Sequence, residues 1–457
     1  MKINLKAYKY NTKVILDMLK SINFFKSSFI TSKWIYFFLF FLILLLINIR
    51  QKKITNYDCE ICADKAGYYM YLPAFFYLGF KAANYPEGFD EKHGSGFKTD
   101  RINDKIITKY TCGLAILLAP FYGLGFSISK VFSLKVDPYS SYYLFFINIG
   151  AAFYAVLGLF YLRKWLNFYV NATNSLLAIL VIFFGTNLYY YTLDESLMTH
   201  MYSFFLLSLG LYSFKSYCNR QNFKYYLMFA IAMSFAIAIR PINALFGLII
   251  ILFDVKRFKD LINKLVLILT PKNLFFGILI FTLIILPQAL YWKFAFGKYI
   301  IWSYQGEGFS YWDNPQFLTV WFSPFSGLFI YTPIILLALI FSIVMIMKRI
   351  PNGILIFGTF VVLSYMCAAW ADPFYGCSFG KRPMVEYLPV IMMPTAYMFE
   401  NFKEYTKSTK YIIIASAILL IYYNLALFEA FNTCFPGHYW EWNKFLELFK
   451  DAILFIK

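Results

Sequence analysis

From Trp34 to Ala430 the sequence returns repeatedly to long apolar stretches separated by short polar ones. This repetition constrains the fold more than any other feature. A chain of 457 residues that is 60% hydrophobic and only 14% charged cannot hide that much apolar surface in a soluble core. In a bilayer every backbone polar group must be satisfied internally, which leaves helices for stretches of this length. The sequence therefore predicts an all-α polytopic membrane protein. Its net charge of +18 would suggest nucleic acid in a soluble protein. In a membrane protein it reflects Lys and Arg gathered on cytoplasmic loops, so no nucleic-acid partner is expected.

About eleven transmembrane helices are expected. Residues 1–33, with seven Lys and one Asp, form a cytoplasmic amino-terminal segment. They precede a first helix over Trp34–Ile49 that lacks a small-residue cleavage site and reads as a retained anchor. The remaining spans are read at 139–161, 175–191, 199–215, 225–239, 242–253, 273–292, 326–347, 353–371, 386–400 and 411–429. The transmembrane domain thus covers 34–429. It has a large first outer loop over 50–138, a second outer loop over 293–325, and an outer carboxyl-terminal tail over 430–457. Gly67–Phe80 is short and aromatic, which suits an interfacial helix. Cys112–Phe132 is long enough to cross but contains Pro120 and several glycines. Counting it as a span would put Arg163-Lys164 and the later basic loops outside, so it is read as interfacial or re-entrant. This register places nearly all of the net charge inside and most of the acids outside. The pair 225–239 and 242–253 is too short for two full crossings. It is read as a hairpin whose Arg240-Pro241 tip stops below the outer surface.

Polar groups then converge on the outer side. The stretch DCEICADKAGYYMYLP (Asp58–Pro73) carries Asp58, Glu60 and Asp64 beside Tyr68, Tyr69 and Tyr71. Acids at a bilayer edge are costly unless they have a function. Asp194, Glu195 and His200 sit in one turn, Arg240 at the hairpin tip, and Glu307 and Asp313 in the second outer loop. Lys381-Arg382 opens a later helix, with Glu386 one turn on. The tail adds His438 and Trp440–Trp442. Cys59 and Cys62 form a CxxC without a second pair, which does not make a zinc site. They are either a disulfide or two free thiols.

This arrangement suits one chemistry. A carboxylate takes the proton of an acceptor hydroxyl, and cations hold the phosphate that leaves with its lipid. The order of parts resembles the GT-C superfamily of integral-membrane glycosyltransferases, which includes lipid A aminoarabinose transferases and protein O-mannosyltransferases. That family has an inside amino terminus, one helix, then a large outer loop with an early acid and interfacial helices. The resemblance implies Asp64, in a D-x-x-x-Y-Y context, as the catalytic base, with Asp194 or Glu195 as the second acid. It implies Arg240, Lys381 and Arg382 as the phosphate-binding side. GCSFGKR (Gly376–Arg382) is similar to a GGSFGQR-like stretch of bacterial relatives. Tyr68, Tyr69, His200 and Glu307 complete the candidate substrate contacts.

The expected function is transfer of a sugar from a polyprenyl-phosphate donor to a hydroxyl or amine of a lipid, glycan or protein acceptor. The site would face outward from a bacterial inner membrane. No cofactor is called for. Lys65 stands where the family often has a second adjacent acid, so a divalent metal is not supported. The alternative is a transporter or flippase of polyprenyl-linked glycans, which would need a polar path through helices that carry almost no charge.

Overall fold

The computed structural model describes residues 34–53, 61–94, 96–304, 306–431 and 434–454. The protein is about 72% helical with almost no sheet. Among the described residues four helices are long and apolar enough to cross a membrane: Gly113–Val131, Ser141–Leu166, Pro271–Phe296 and Lys407–Ala430. Six shorter apolar helices accompany them. This character is compatible with an integral membrane protein, and these helices do not themselves establish eleven spans.

The first helix, α1 (Trp34–Lys53), is apolar on every face. Leu39, Ile43 and Ile47, at intervals of four, are buried, while Phe37, Phe41 and Leu45 point outward, as a helix packed on one side only requires. A broken helix follows, Asp64–Tyr69 (α2) continuing through Tyr71–Pro73 into a π-helical turn at Ala74–Leu78. Then comes a small antiparallel hairpin, β1 (Lys98–Asp100) on β2 (Lys105–Ile107), with Thr99 opposite Ile106. The hairpin has no counterpart in the sequence expectation. Its turn is closed by Asp100, whose carboxylate accepts the Asn103 amide at 3.1 Å.

Helix α3 (Gly113–Val131) lies against α4 (Ser141–Leu166). At one end Thr111 donates to the Ile239 carbonyl at 2.6 Å, and at the other Ser129 lies 3.2 Å from the Tyr143 hydroxyl. Tyr154 donates to the Leu117 carbonyl and Tyr142 to the Gly125 carbonyl, both at 2.9 Å, so the two helices run antiparallel. By length and composition α3 is able to cross a membrane, where the sequence reading takes it as interfacial or re-entrant. The chain continues through α5 (Ala172–Gly185), α6 (Leu188–Leu193), α7 (Thr199–Arg220) and α8 (Phe223–Ile239). A 3-10 turn at Pro241–Asn243 leads into α9 (Ala244–Leu252), α10 (Phe258–Ile268) and α11 (Pro271–Phe296). The segment 326–347, expected as one helix, is two, Leu328–Tyr331 and α12 (Ile334–Met347), because Pro333 interrupts it. After α13 (Gly353–Ala369), the expected helix 386–400 is likewise broken at Pro389 and Pro394, ending in α14 (Met393–Glu400). The expected tail holds α16 (Trp442–Leu454), after α15 (Lys407–Ala430). Phe445, Leu448 and Ala452 of α16 are buried.

The bundle has two chemically distinct ends. At one, Arg163 reaches the Tyr36 hydroxyl, Asp254 accepts from Lys215, Tyr169 and Asn352, and Glu400 accepts from Asn171 and Asn174. Asn171, Asn222, Thr270 and Thr406 cap α5, α8, α11 and α15 at this same end. Each side chain satisfies backbone N–H groups that a helix start leaves unpaired. At the other end Arg50 grips Asp194 with two hydrogen bonds of 2.8 and 3.0 Å and Glu429 with one of 3.0 Å. The candidate site lies at this second end.

Candidate active site

The hairpin is what assembles the site. The Tyr291 hydroxyl of α11 donates to the Ile106 carbonyl at 3.1 Å and accepts the Thr108 amide at 2.9 Å. This clamps β2 so that the next residues, Lys109 and Tyr110, reach α2. A Cβ on Gly67 would collide with the Gly96 carbonyl and the Tyr110 ring, so the close approach that joins Asp64 to Tyr110 depends on that glycine. On the opposite wall the loop 372–382 turns through Gly380, whose φ of +66° is left-handed. There Lys381 goes inward and Arg382 goes to the cavity. A disulfide between Cys377 and Cys434 ties this loop to the chain after α15.

A cavity of about 460 Å³ opens between these parts, and Asp64, Tyr68, His200, Arg240, Glu307 and Arg382 all line it. Asp64 lies 3.1 Å from Arg382 and accepts a hydrogen bond from the Tyr110 hydroxyl. Burial would raise the Asp64 carboxyl, but Arg382, the Tyr110 hydroxyl and Lys109 outweigh it and hold the group below the usual carboxylate range. Glu386, only 1% exposed, pairs with Arg240 and lies 2.9 Å from His200 Nδ1. Lys109 pairs with Glu307 at 2.6 Å and sits between the rings of Tyr110 and Tyr304. Ile242, Trp302, Leu363, Met366 and Trp370 make the remaining wall apolar.

Four sequence-predicted site residues lie elsewhere. Asp194 is taken by Arg50 and Glu195 by Lys65 at 3.4 Å, so neither acid reaches the cavity. They fasten α1 and α2 to the start of α7. Tyr69 is core: its hydroxyl donates to the Pro138 carbonyl at 2.6 Å and its ring packs on Tyr122 and Tyr139. Lys381 is fully buried, donating to the Pro373 carbonyl at 2.6 Å and to Ser326 at 3.2 Å. His438 and Trp440–Trp442 do not line the cavity either. Asp58, Cys59 and Glu60 lie outside the described residues, and so does the question of a Cys59–Cys62 pair.

Sequence reasoning missed Lys109, Tyr110 and Tyr375 as cavity residues and left Glu386 out of the site. The turn residues DRIND (Asp100–Asp104) between Lys-Thr-Asp and Lys-Ile-Ile were the available signal for a hairpin. Nothing in the spacing pointed to a bond between Cys377 and Cys434, 57 residues apart. Among the described residues no group of three or more His, Cys, Asp or Glu is placed to hold a metal ion.

Lys381 has no carboxylate partner among the described residues, and burial pushes it down from 10.5 to about 7. Between those values the unfolded chain binds more protons than the folded one. Stability should therefore rise with pH from about 7 towards 10, and the burial penalty should be fully expressed below 7. Lys381→Met should flatten that profile and raise the melting temperature more at pH 6.5 than at pH 9. A Lys381→Met effect on the melting temperature that is the same at both pH values would show that burial does not lower the pKa of the Lys381 ammonium in the folded protein.

No family model matches the chain, and comparison with curated proteins gives no match.

Proposed function

We propose that the chain is an integral-membrane glycosyltransferase of the GT-C kind, moving a sugar from a polyprenyl-phosphate donor to an acceptor hydroxyl or amine. The observation that carries this reading is the cavity itself. It sets the Asp64 carboxylate beside Arg382, with Arg240 and Lys109 held nearby by Glu386 and Glu307, against an apolar wall suited to a lipid chain. The acceptor oxygen or nitrogen attacks the anomeric carbon and the sugar–phosphate bond breaks. The phosphate leaves with its lipid, and the acceptor proton passes to Asp64. Lys381 takes no part in phosphate binding, and Asp194 and Glu195 serve as fasteners.

We place the site on the outer face of a bacterial inner membrane. Two observations support that side. The charge distribution puts the basic loops at the other end, and Cys377–Cys434 lies at the cavity end, where an oxidising compartment lets a disulfide persist.

The test is the lipid content of cells with and without the protein. Its loss should cause a polyprenyl-phosphate monosaccharide to accumulate, measured by mass spectrometry of extracted lipids. Accumulation of a finished lipid-linked oligosaccharide would instead indicate transport. The side is read in intact spheroplasts, with Cys placed at exposed Ile300 or Lys259. An impermeant maleimide should label the first at once and the second only after lysis.

A further inference from the structure

Every Lys or Arg that lines the cavity already faces a carboxylate: Arg382 faces Asp64, Arg240 faces Glu386 and Lys109 faces Glu307. A phosphate that enters must therefore take a cation from an acid. The three pairs are not equally able to give one up. Glu386 is almost fully buried, and stripping Arg240 from it would leave a buried charge poorly compensated. Lys109–Glu307 is the most exposed pair, about a third or more open on both sides, and contributes little to hold. Asp64 is intermediate, 30% exposed, and it keeps the Tyr110 hydrogen bond when Arg382 turns away.

We infer that Arg382 is a shared cation, paired with Asp64 until a phosphate monoester or diester takes it, so that donor binding itself frees the Asp64 carboxylate. This rests on the glycosyltransferase reading and adds a coupling within its site. The chemistry follows from the forces already acting on Asp64. Burial opposes its charge, and Arg382 is the largest of the influences that keep it ionised. Once a phosphate holds Arg382, burial gains the upper hand and the carboxylate becomes a stronger base at the moment the acceptor needs one. Arg382 can serve both partners because its planar guanidinium presents five donors. Linkage makes the coupling reciprocal: whatever removes charge at Asp64 must tighten phosphate binding.

The experiment measures equilibrium binding of a polyprenyl monophosphate, with no sugar attached, to the full chain in nanodiscs. Inorganic phosphate run in parallel separates headgroup from lipid contributions. Asp64→Asn should bind the polyprenyl phosphate at least about fivefold more tightly than the wild type, the lower end of a site-to-site coupling. With Arg382→Gln added, binding should fall below that of the wild type, because the cation that Asp64→Asn releases is gone. Tyr110→Phe, which removes the other donor to Asp64, should not tighten binding. Unchanged or weaker binding by a well-folded Asp64→Asn protein overturns the shared cation and leaves the enzyme reading standing. If Asp64→Asn fails to fold, Asp64→Ser is measured in its place under the same criterion. No binding by the wild type or any variant defeats the enzyme reading, and this inference with it.

Discussion

Asp64→Asn is expected to lower the rate of sugar transfer by about 10²–10⁴-fold, the usual loss on removing a general base, while the folded protein is retained. Asparagine keeps the shape of the side chain and can still accept from Tyr110, so the local hydrogen bonding to α2 survives. What disappears is the proton acceptor. Asp64→Glu should also be poor, since one extra methylene moves the carboxylate by about an ångström, enough to spoil a near-attack geometry. Asp194→Asn and Glu195→Gln are the informative comparisons. Both acids are held by cations outside the cavity, so their loss should act on stability rather than on the chemical step. The measurement is transfer of labelled sugar by purified variants in nanodiscs, under single-turnover conditions. Near-wild-type transfer by Asp64→Asn would remove it as the base. If Asp194→Asn or Glu195→Gln then abolished single turnover without lowering stability, the second acid would have to be sought where the sequence first suggested it.

Much of the fold was legible because its causes are local. Apolar runs, prolines and basic loops each act within a few residues, so the helices appear close to where the sequence put them. Where the sequence reading failed, the cause was usually a distant partner. The run from 175 to 191 was read as one helix, but the chain bends at Thr186, where neighbouring Asn187 reaches across to the Phe379 carbonyl. Asp194 and Glu195 look like catalytic acids in a list of outer carboxylates. Their role is decided by Arg50, 144 residues earlier, and by Lys65, 130 residues earlier, which no local pattern reveals. Lys381-Arg382 read as a single cationic unit, yet the turn at Gly380 sends the two side chains to opposite sides of one loop. Adjacent charges share a face only when the backbone lets them.

The same consideration explains why the cavity gathers Asp64, Arg240 and Arg382 although they come from three separate parts of the chain. Each stands at a break in helical structure: Asp64 at the start of a broken helix, Arg240 between α8 and a 3-10 turn, Arg382 at the start of another. Helix breaks leave backbone groups unpaired, so they collect where side chains and ligand can satisfy them. In a membrane such breaks are tolerated only against protein or a polar cavity. A charged residue beside a break, at the level where several breaks meet, is a stronger sequence signal for this site than an acid counted alone.

Arg382→Ala should weaken binding of the polyprenyl-phosphate donor by roughly 10- to 150-fold, the equivalent of about 1.5–3 kcal/mol for a hydrogen bond to a charged group. Two effects act in the same direction. The phosphate loses a bidentate, charge-assisted partner, and Asp64, no longer offset by Arg382, stands as an uncompensated negative charge facing it. Arg382→Lys should recover only part of the loss, because a point charge on a flexible stem cannot present the planar fork. Lys381→Met should leave donor affinity near that of the wild type, since its ammonium faces Pro373 and Ser326 rather than the cavity. Titration of each variant with the donor in nanodiscs gives the comparison directly. An unchanged dissociation constant for Arg382→Ala would leave phosphate binding to Arg240 and Lys109, and Arg382 would then serve only to keep Asp64 ionised.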